Sequence, residues 1–549
     1  MPYPFRAVLS SSRPVLALAA CVAFHAPAPA RATDAASPGG MLLYLEKQPH
    51  KNLYPPAGGF YPNGGILAQI TDRLTWQNTD TLKIEPWIAT GWSVNADSTV
   101  FTFTLRPGVT FSDGTPVDAA AVALNYDTFG KGNRALHLPP SEVINNYERS
   151  EVIDPLTVRF YFSKPSPGFL QGTSVIGSGL VSPASLRRPL DEWGDARHVI
   201  GSGPFVVRDE VPGKSVDLVT RPDYAWGPEQ LAPQGPSRLA SVRIIVVPED
   251  SIRIGAFIAG QADFARAVEA YDEEQIIRHG DTIYAASTRG VNNSVVFRPD
   301  NPLVADPRVR LALLHATDRP DILRTLYSPN YPLARSVIAA DAQGFVDHAA
   351  DLTYDPALAA RLLDEAGWTM APDGWRRRNG VALALAVHEA LPQPQSRSML
   401  VLLAQQWRRV GVRLTILSGS PAMTVLDNLN PAVTPLFHAE VGRADPDVIK
   451  SAFYPTNRNV LLQKGGQSRH VEHFVDPELN GLLDRVASDT DPATRLANLA
   501  RVQADILAKG YSIPIFEEPQ VYAGSARVHD MRFEAVGRPV FYRTWLARP

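Results

Sequence analysis

The stretch 381–417, VALALAVHEALPQPQSRSMLVLLAQQWRRVGVRLTIL, holds the pattern on which the fold reading rests. Leu383, Leu385 and Val387 alternate with alanines, the period of two that marks a strand. Met399, Leu402, Leu403, Gln406 and Val410 then recur at helical spacing, and Gly411 supplies the stop. Val412, Leu414 and Ile416 mark a second strand. Strand, helix and strand in this order form a βαβ unit, which implies a parallel strand pair with a right-handed crossover. The fold class expected is α/β.

Elements on either side agree with it. Val100 to Leu105 sets Phe101, Phe103 and Leu105 on one face against Thr102 and Thr104, a half-buried strand. Asp113-Gly114 turns the chain, and Asp118 opens a helix with Ala119, Val122, Tyr126 and Phe129 at helical spacing, ended by Gly130. Leu156–Phe162 and Val242–Val247 read as further strands. From about residue 306, Asp-Pro pairs recur at 306–307, 355–356, 476–477 and 491–492. Each places a capping carboxylate before a proline at the first helical position. No internal repeat and no low-complexity tract follows the Ala/Pro-rich leader.

The chain has 549 residues, 45% apolar and 20% charged, enough apolar surface to offset the ordering entropy of folding. That length suits several domains or two large lobes. A formal charge of −3, from 53 basic and 56 acidic residues, gives no single-sign field, which argues against a nucleic-acid partner. The 48 Pro and 38 Gly imply many turns. Cys21 is the one cysteine, so the chain has neither an internal disulfide nor a thiolate metal cluster.

Residues 1–32 read as a signal peptide. Arg6 and Arg13 form the positive region, Val15–Phe24 the short apolar region, and Ala30-Arg31-Ala32 the cleavage signal. The apolar run is shorter than the roughly 20 residues that span a bilayer. Leu18-Ala19-Ala20-Cys21 also resembles a lipobox, so two forms stay open: a free periplasmic protein, or a lipoprotein anchored through Cys21.

Catalytic motifs are missing: the sequence holds no G-x-S-x-G, no Walker loop and no H-E-x-x-H. His470-Val471-Glu472-His473 has helical i, i+3 spacing but no third ligand nearby, and reads as a polar loop without a metal. Asp445-Pro446-Asp447 reads as a turn and helix cap, or as the carboxylate pair of a hydrolase. Tyr54–Gly65 is aromatic and rich in Pro and Gly; it reads as an irregular loop that packs on its own scaffold or lines a cleft.

Ile84-Glu85-Pro86-Trp87-Ile88-Ala89-Thr90-Gly91-Trp92, followed by Phe101–Pro116 (FTFTLRPGVTFSDGTP), closely resembles a signature of the family 5 extracellular solute-binding proteins. These are the oligopeptide, dipeptide and nickel-binding proteins of ABC importers. Gly201-Ser202-Gly203-Pro204-Phe205, Arg221–Trp226, Gly260–Asp263 and Asp306–Leu313 resemble further segments of that family. The resemblance implies a two-lobed periplasmic-binding-protein fold. A discontinuous larger lobe would comprise 33–290 plus 515–549, and a second lobe 291–514. Hinge crossings would lie near Arg289-Gly290-Val291 and near Pro514. It also implies a monomer that is not an enzyme, needs no cofactor, binds a small-molecule or peptide ligand, and docks on an inner-membrane ABC permease with its ATPase.

The ligand site departs from the family. Peptide-binding members carry a Trp and an Asp before D-P-D, the Asp pairing with the peptide ammonium. In His438-Ala439-Glu440-Val441-Gly442-Arg443-Ala444-Asp445 those positions fall on Ala439 and Gly442. Arg443 adds a cation for a ligand carboxylate or phosphate, or else pairs with Asp445 or Glu440. By analogy to the family's cleft, Tyr61, Asn63, Thr173, Ser174, Asn292, Asn293, His388, Glu440, Arg443 and Asp445 are ligand-binding candidates, His388 being equally a surface loop residue. The expected ligand is a small polar solute: a modified peptide, an opine-like compound or a metal chelate. The rivals are a secreted hydrolase using Asp445 and Asp447, and a chaperone-like periplasmic peptide binder.

Overall fold

Parallel pairing of Ala384–His388 with Arg413–Leu417, joined by the helix Ser396–Arg409, realises the βαβ unit in register from Ala384 opposite Arg413 to His388 opposite Leu417. The computed structural model describes residues 39–231, 234–390, 393, 395–428, 430–453 and 476–548. Cys21, the leader and His470–His473 lie outside the described residues.

Two of the sheets among the described residues frame the site. The larger has seven strands, in the order Thr282–Ser287, Pro519–Gly524, Phe264–Arg266, Gly40–Glu46, Leu239–Val246, Ser215–Thr220 and Phe205–Val211. Gly40–Glu46 runs parallel to both neighbours; the outer pairings are antiparallel. The smaller sheet sets Val291–Phe297 between Leu436–Val441 and Ser512–Phe516, antiparallel to both. All seven residues of Val291–Phe297 are buried, as a central strand covered on both faces requires.

The chain crosses between the sheets twice. Thr288-Arg289-Gly290 leads from the large sheet to the small one, and Glu517-Glu518 leads back. Pro514 sits inside the strand Ser512–Phe516, so the return crossing falls a few residues beyond it. Gly290 is required at the first crossing, because a Cβ there would lie 1.7 Å from the Val441 carbonyl oxygen.

Each sheet carries its own apolar core. One gathers Phe101, Phe103, Phe160 and Phe169 with the face of the large sheet that bears Tyr44 and Tyr522. The other gathers Leu385, Met399, Leu403 and Trp407 of the βαβ unit with the small sheet and the helices after it. Fully burying one such side chain contributes about 1.5–3 kcal/mol.

All four Asp-Pro pairs cap helices: Asp306, Asp355, Asp476 and Asp491 each accept a first-turn amide of the helix that follows. Two expectations shift. The helix Ala119–Lys131 runs through Gly130 and ends at Gly132, whose φ of 71° breaks it. Gly130 is small because a Cβ there would strike the Tyr147 ring. The Tyr54–Gly65 stretch is not irregular: Tyr61–Ile70 is a helix with Pro62 in its first turn, where the missing amide costs nothing. No helix among the described residues is long and apolar enough to cross a membrane.

Candidate functional site: a two-chambered cleft

Parallel strands of an α/β sheet present their carboxyl ends to a crevice. Glu46 and Arg266 end the parallel strands of the large sheet, and the loop with Gln393 and Gln395 follows the parallel strand Ala384–His388. Between them lies an open cavity of about 860 Å³. Lys47, Tyr61 and Arg266 line it from the large-sheet side, Tyr331, Gln395 and Glu440 from the small-sheet side, and Glu518 stands on the return crossing.

Its cations are already engaged. Arg266 holds Glu46 with both carboxylate oxygens within 2.9 Å of Nε. Lys47 pairs with Asp250 and Glu269, each at 3.0 Å. Glu440 and Glu518, by contrast, have no basic group within 4 Å among the described residues. Burial pushes the Glu440 carboxyl up to about 7. Burial and then the neighbouring Glu440 push Glu518 well above the carboxylate range. Two carboxyls facing one space, with Arg538 acting on Glu440 from beyond ion-pair distance, form a site that favours an incoming cation.

A buried polar chain orients Glu518. The Ser396 hydroxyl accepts from the Ala390 amide at 2.9 Å; Asn293 Oδ1 can only accept from His438 Nε2, so the Nδ1 of the neutral ring accepts the Ser396 proton at 2.8 Å. His438 therefore carries its proton on Nε2 and donates to Asn293 Oδ1 at 2.5 Å. Burial lowers His438 to about 3, in keeping with a neutral ring. Asn293 Nδ2 then donates to Glu518 Oε2 at 2.8 Å and to Gln393 Oε1 at 2.6 Å.

A second cavity, about 700 Å³, lies beside the first and has the opposite character. Arg73, Arg443 and Arg538 line it with Glu142 and Glu534, between apolar walls that include Trp76, Ile176 and Val536. Glu534 binds Arg73 and lies 3.6 Å from Arg538. Tyr61 and Arg538 stand between the cavities: the guanidinium lies 4.7 Å from the Tyr61 ring centroid. Arg443 is 8% exposed and also lines a third, smaller cavity with Asp445.

The family-like segments hold this wall in place. Asp72 accepts from Tyr224 at 3.0 Å and from Trp226 at 2.8 Å, which anchors the neighbouring Arg73. Burial raises Asp72 to about 7. Gly201 and Gly203 pack directly on the Ile70 backbone, where a Cβ would collide.

The structure separates the sequence-named residues into two groups. Tyr61 and Glu440 line the acidic chamber, and Asn293 stands behind it. Ser174 and Arg443 line the basic one. Arg443 pairs with neither Asp445 nor Glu440: its carboxylate neighbours are Glu142 at 3.6 Å and Asp447 at 3.9 Å. Asp445 is bound instead by Arg495 at 2.9 Å and accepts the Asp447 amide at 2.7 Å, the cap geometry. The remaining candidates bond to the scaffold, with Asn292 Oδ1 and His388 Nδ1 buried without a hydrogen-bond partner among the described residues. Asn63 ties Lys51 N and Ala57 O together. Thr173 bonds Leu170 O and Thr75, and Asn292 donates to Ser336 O. His388 is buried and faces Asp427 at 2.8 Å, so it is neither a surface loop residue nor part of the lining of these cavities. Sequence reasoning did not find Arg73, Arg538 and Glu518. Only the Glu517-Glu518 pair, just past an apolar strand, carried a local signal.

A family model described as "Bacterial extracellular solute-binding proteins, family 5 Middle" matches residues 83–449. The chain is 26% identical over 294 residues to the "Glutathione-binding protein GsiB" of Salmonella paratyphi A. That match spans 54% of each chain, so the chain covers about half the length of this relative. Among solved structures it resembles the periplasmic binding protein DppA of Helicobacter pylori, in complex with peptide STSA, at TM-score 0.75 and 18% identity, over 93% of this chain and 99% of that one. It equally resembles NikA of Brucella suis, in complex with Fe(III)-EDTA, at TM-score 0.75 and 22% identity, over 91% and 99%. These likenesses establish a two-lobed binding-protein fold, and the matched segment covers most of the chain. The chain belongs to the family 5 bacterial extracellular solute-binding proteins.

Proposed function

We propose that this protein captures a small polar solute in its cleft and delivers it to an inner-membrane ABC permease served by its own ATPase. The observation that carries the reading is the cavity of about 860 Å³ lined from both sheets, with Glu518 of the return crossing in its wall. A solute held there would touch both sides and the hinge at once, which favours closure. The lobes would be 33–290 with 515–549, and 291–514. Relatives named or solved with glutathione, a peptide or a metal chelate support a modified peptide, an opine-like compound or a chelate as the solute class. Glu440, with Asn293 and Tyr61 beside it, would take a cationic end and Arg443, with Ser174, an anionic one. Capture needs no turnover, and the engagement of Asp445 by Arg495 removes the motive for a hydrolase.

Export would use residues 1–32, giving a periplasmic monomer, with Cys21 the point of attachment if the lipobox is used. Native mass spectrometry of protein taken from periplasm tests both points. The expected result is an excess mass from a trapped solute, together with compaction in solution scattering when that solute is added back to emptied protein. A protein that neither carries nor responds to any periplasmic solute would overturn the reading.

A further inference from the structure

We infer that one end of the βαβ unit, with the small sheet of residues 369–382 folded against it, is a docking surface for an anionic lipid bilayer. The surface uses none of the cleft residues and lies outside the capture site.

The helix Ser396–Arg409 ends in Arg408 and Arg409, and the strand after it opens with Arg413. All three are exposed. Beside them Thr369–Met370, Arg376–Arg378 and Val381–Ala382 form a three-stranded sheet. Trp375, in the turn between its first two strands, takes both Arg408 and Arg413: the guanidinium carbons lie 4.0 and 4.6 Å from its ring centroid. Two cations on one ring stand closer together than the roughly 10 Å over which 0.1 M salt screens charge. Arg378, Arg408, Arg409 and Arg413 have no carboxylate within 4 Å among the described residues. Arg409 and Arg413 donate no hydrogen bond there either. Asp373, the one acid in 369–382, is taken by Arg377 at 2.9 Å, and Asp364 by Arg376 at 2.6 Å. A local excess of unpaired positive charge on a chain of net charge −3 fits an anionic partner.

Apolar tips among these cations select lipid. Met370 is 49% exposed and Val381 57%. Met370 rests on Gly411, two residues before Arg413: a Cβ there would lie 2.8 Å from Met370 Cε. Val381 pairs with Arg378 in the sheet register. Exposed methyl groups set between unpaired cations are the pattern of an interfacial membrane surface. The guanidinium forks meet lipid phosphates, and the apolar tips enter the boundary between headgroup and acyl chain. Acidic side chains alone would answer the arginines and give Met370 and Val381 no apolar environment. Delivery to a permease brings the protein to a bilayer, where such a face would orient it.

The test is vesicle flotation of the mature chain, prepared as 33–549 so that no acyl group contributes. The vesicles are phosphatidylethanolamine with about 30% phosphatidylglycerol, or phosphatidylcholine alone. The expected result is binding to the anionic vesicles, none to phosphatidylcholine, and loss of binding as salt rises from about 0.05 to 0.5 M. Arg409→Gln with Arg413→Gln should lower the affinity about 25-fold, about fivefold for each charge, with a thermal midpoint close to the parent. Arg149→Gln with Arg278→Gln removes the same charge from exposed positions elsewhere and should leave binding unchanged. Met370→Ser with Val381→Ser should weaken binding several-fold. The inference is overturned if the chain does not float with anionic vesicles, if it floats equally with phosphatidylcholine, or if the two arginine pairs weaken it alike. It is also overturned if the Met370 and Val381 pair has no effect. Polyglutamate that binds through Arg409 and Arg413 while vesicles do not would assign the face to an acidic protein instead. Solute capture in the cleft stands under each of these outcomes.

Discussion

The Thr288 hydroxyl donates to the Glu518 carbonyl at 3.0 Å, so the two chain crossings are tied to each other between the sheets. The Thr288 amide points at the same oxygen at 3.3 Å. Glu518 therefore joins the hinge through its backbone and the acidic chamber through its side chain. A charge settling on that carboxylate acts at the crossing itself, with no relay through the body of either lobe.

Thr288→Val removes the hydroxyl bond and keeps the shape. The expected loss of stability is about 1 kcal/mol, the usual net value of one such bond. The free protein should also sample a wider range of lobe angles, read as a larger radius of gyration in solution scattering. An unchanged scattering profile with unchanged stability would mean that the amide bond alone holds the crossings.

Gly201 shows how the family-like segments support the site without touching a solute. A Cβ there would lie 1.8 Å from the Ile70 carbonyl oxygen. Gly201→Ala must displace the backbone that leads into Asp72 and Arg73, and overpacking of this kind costs about 1–3 kcal/mol. Chemical denaturation should show that loss. Solute affinity should fall with it, because Arg73 moves.

Local chemistry made much of the fold legible. The Asp-Pro caps and the βαβ unit depend on neighbours a few residues apart, and each formed where its pattern lay. The helix Tyr61–Ile70 was hidden because proline and paired glycines read as breakers, although a first-turn proline is compatible with a helix. Glu440 and Arg443 were visible through their place beside Asp445. Arg73, Arg538 and Glu518 were not, since each reaches its cavity only when the chain returns to the large sheet after residue 516. No periodicity records a contact between positions 73 and 534.

The raised Glu440 carboxyl has a definite consequence for stability. Its folded value of about 7 lies above the ordinary 4.5, so the native state holds the proton more tightly than the unfolded chain does. That contribution is present in full below about pH 4.5 and is lost as pH rises through about 7. The groups facing Glu440 are Tyr61, Thr288, Gln393, Arg538 and Glu518. Thermal midpoints of solute-free protein should therefore fall between about pH 4.5 and 7, and Glu440→Gln should flatten the slope. Capture of a cationic solute needs the ionised acids, so its affinity should rise over the same interval. A parent and a variant with the same slope would show that Glu440 does not titrate there.

Two adjacent glycines offer an internal control on the wall between the chambers. A Cβ at Gly64 would lie 2.3 Å from Arg538 Nε and 2.6 Å from the Gly58 carbonyl oxygen, whereas one at Gly65 meets nothing within 4 Å. Both sit on the helix Tyr61–Ile70, so the intrinsic helical gain from alanine, up to about 1 kcal/mol, is shared. Gly65→Ala should leave binding unchanged and hold or raise stability. Gly64→Ala must push Arg538 off its seat over Tyr61, and with it the bond from Arg538 Nη2 to the Gly59 carbonyl at 3.0 Å. The expected cost is about 1–3 kcal/mol of stability. An affinity loss of about tenfold should accompany it. Because Arg538 is one of the arginines that line the basic cavity, the loss should appear for a solute that carries a carboxylate. Equal behaviour of the two alanine variants would mean that Arg538 adjusts freely and that the wall does not shape the cleft.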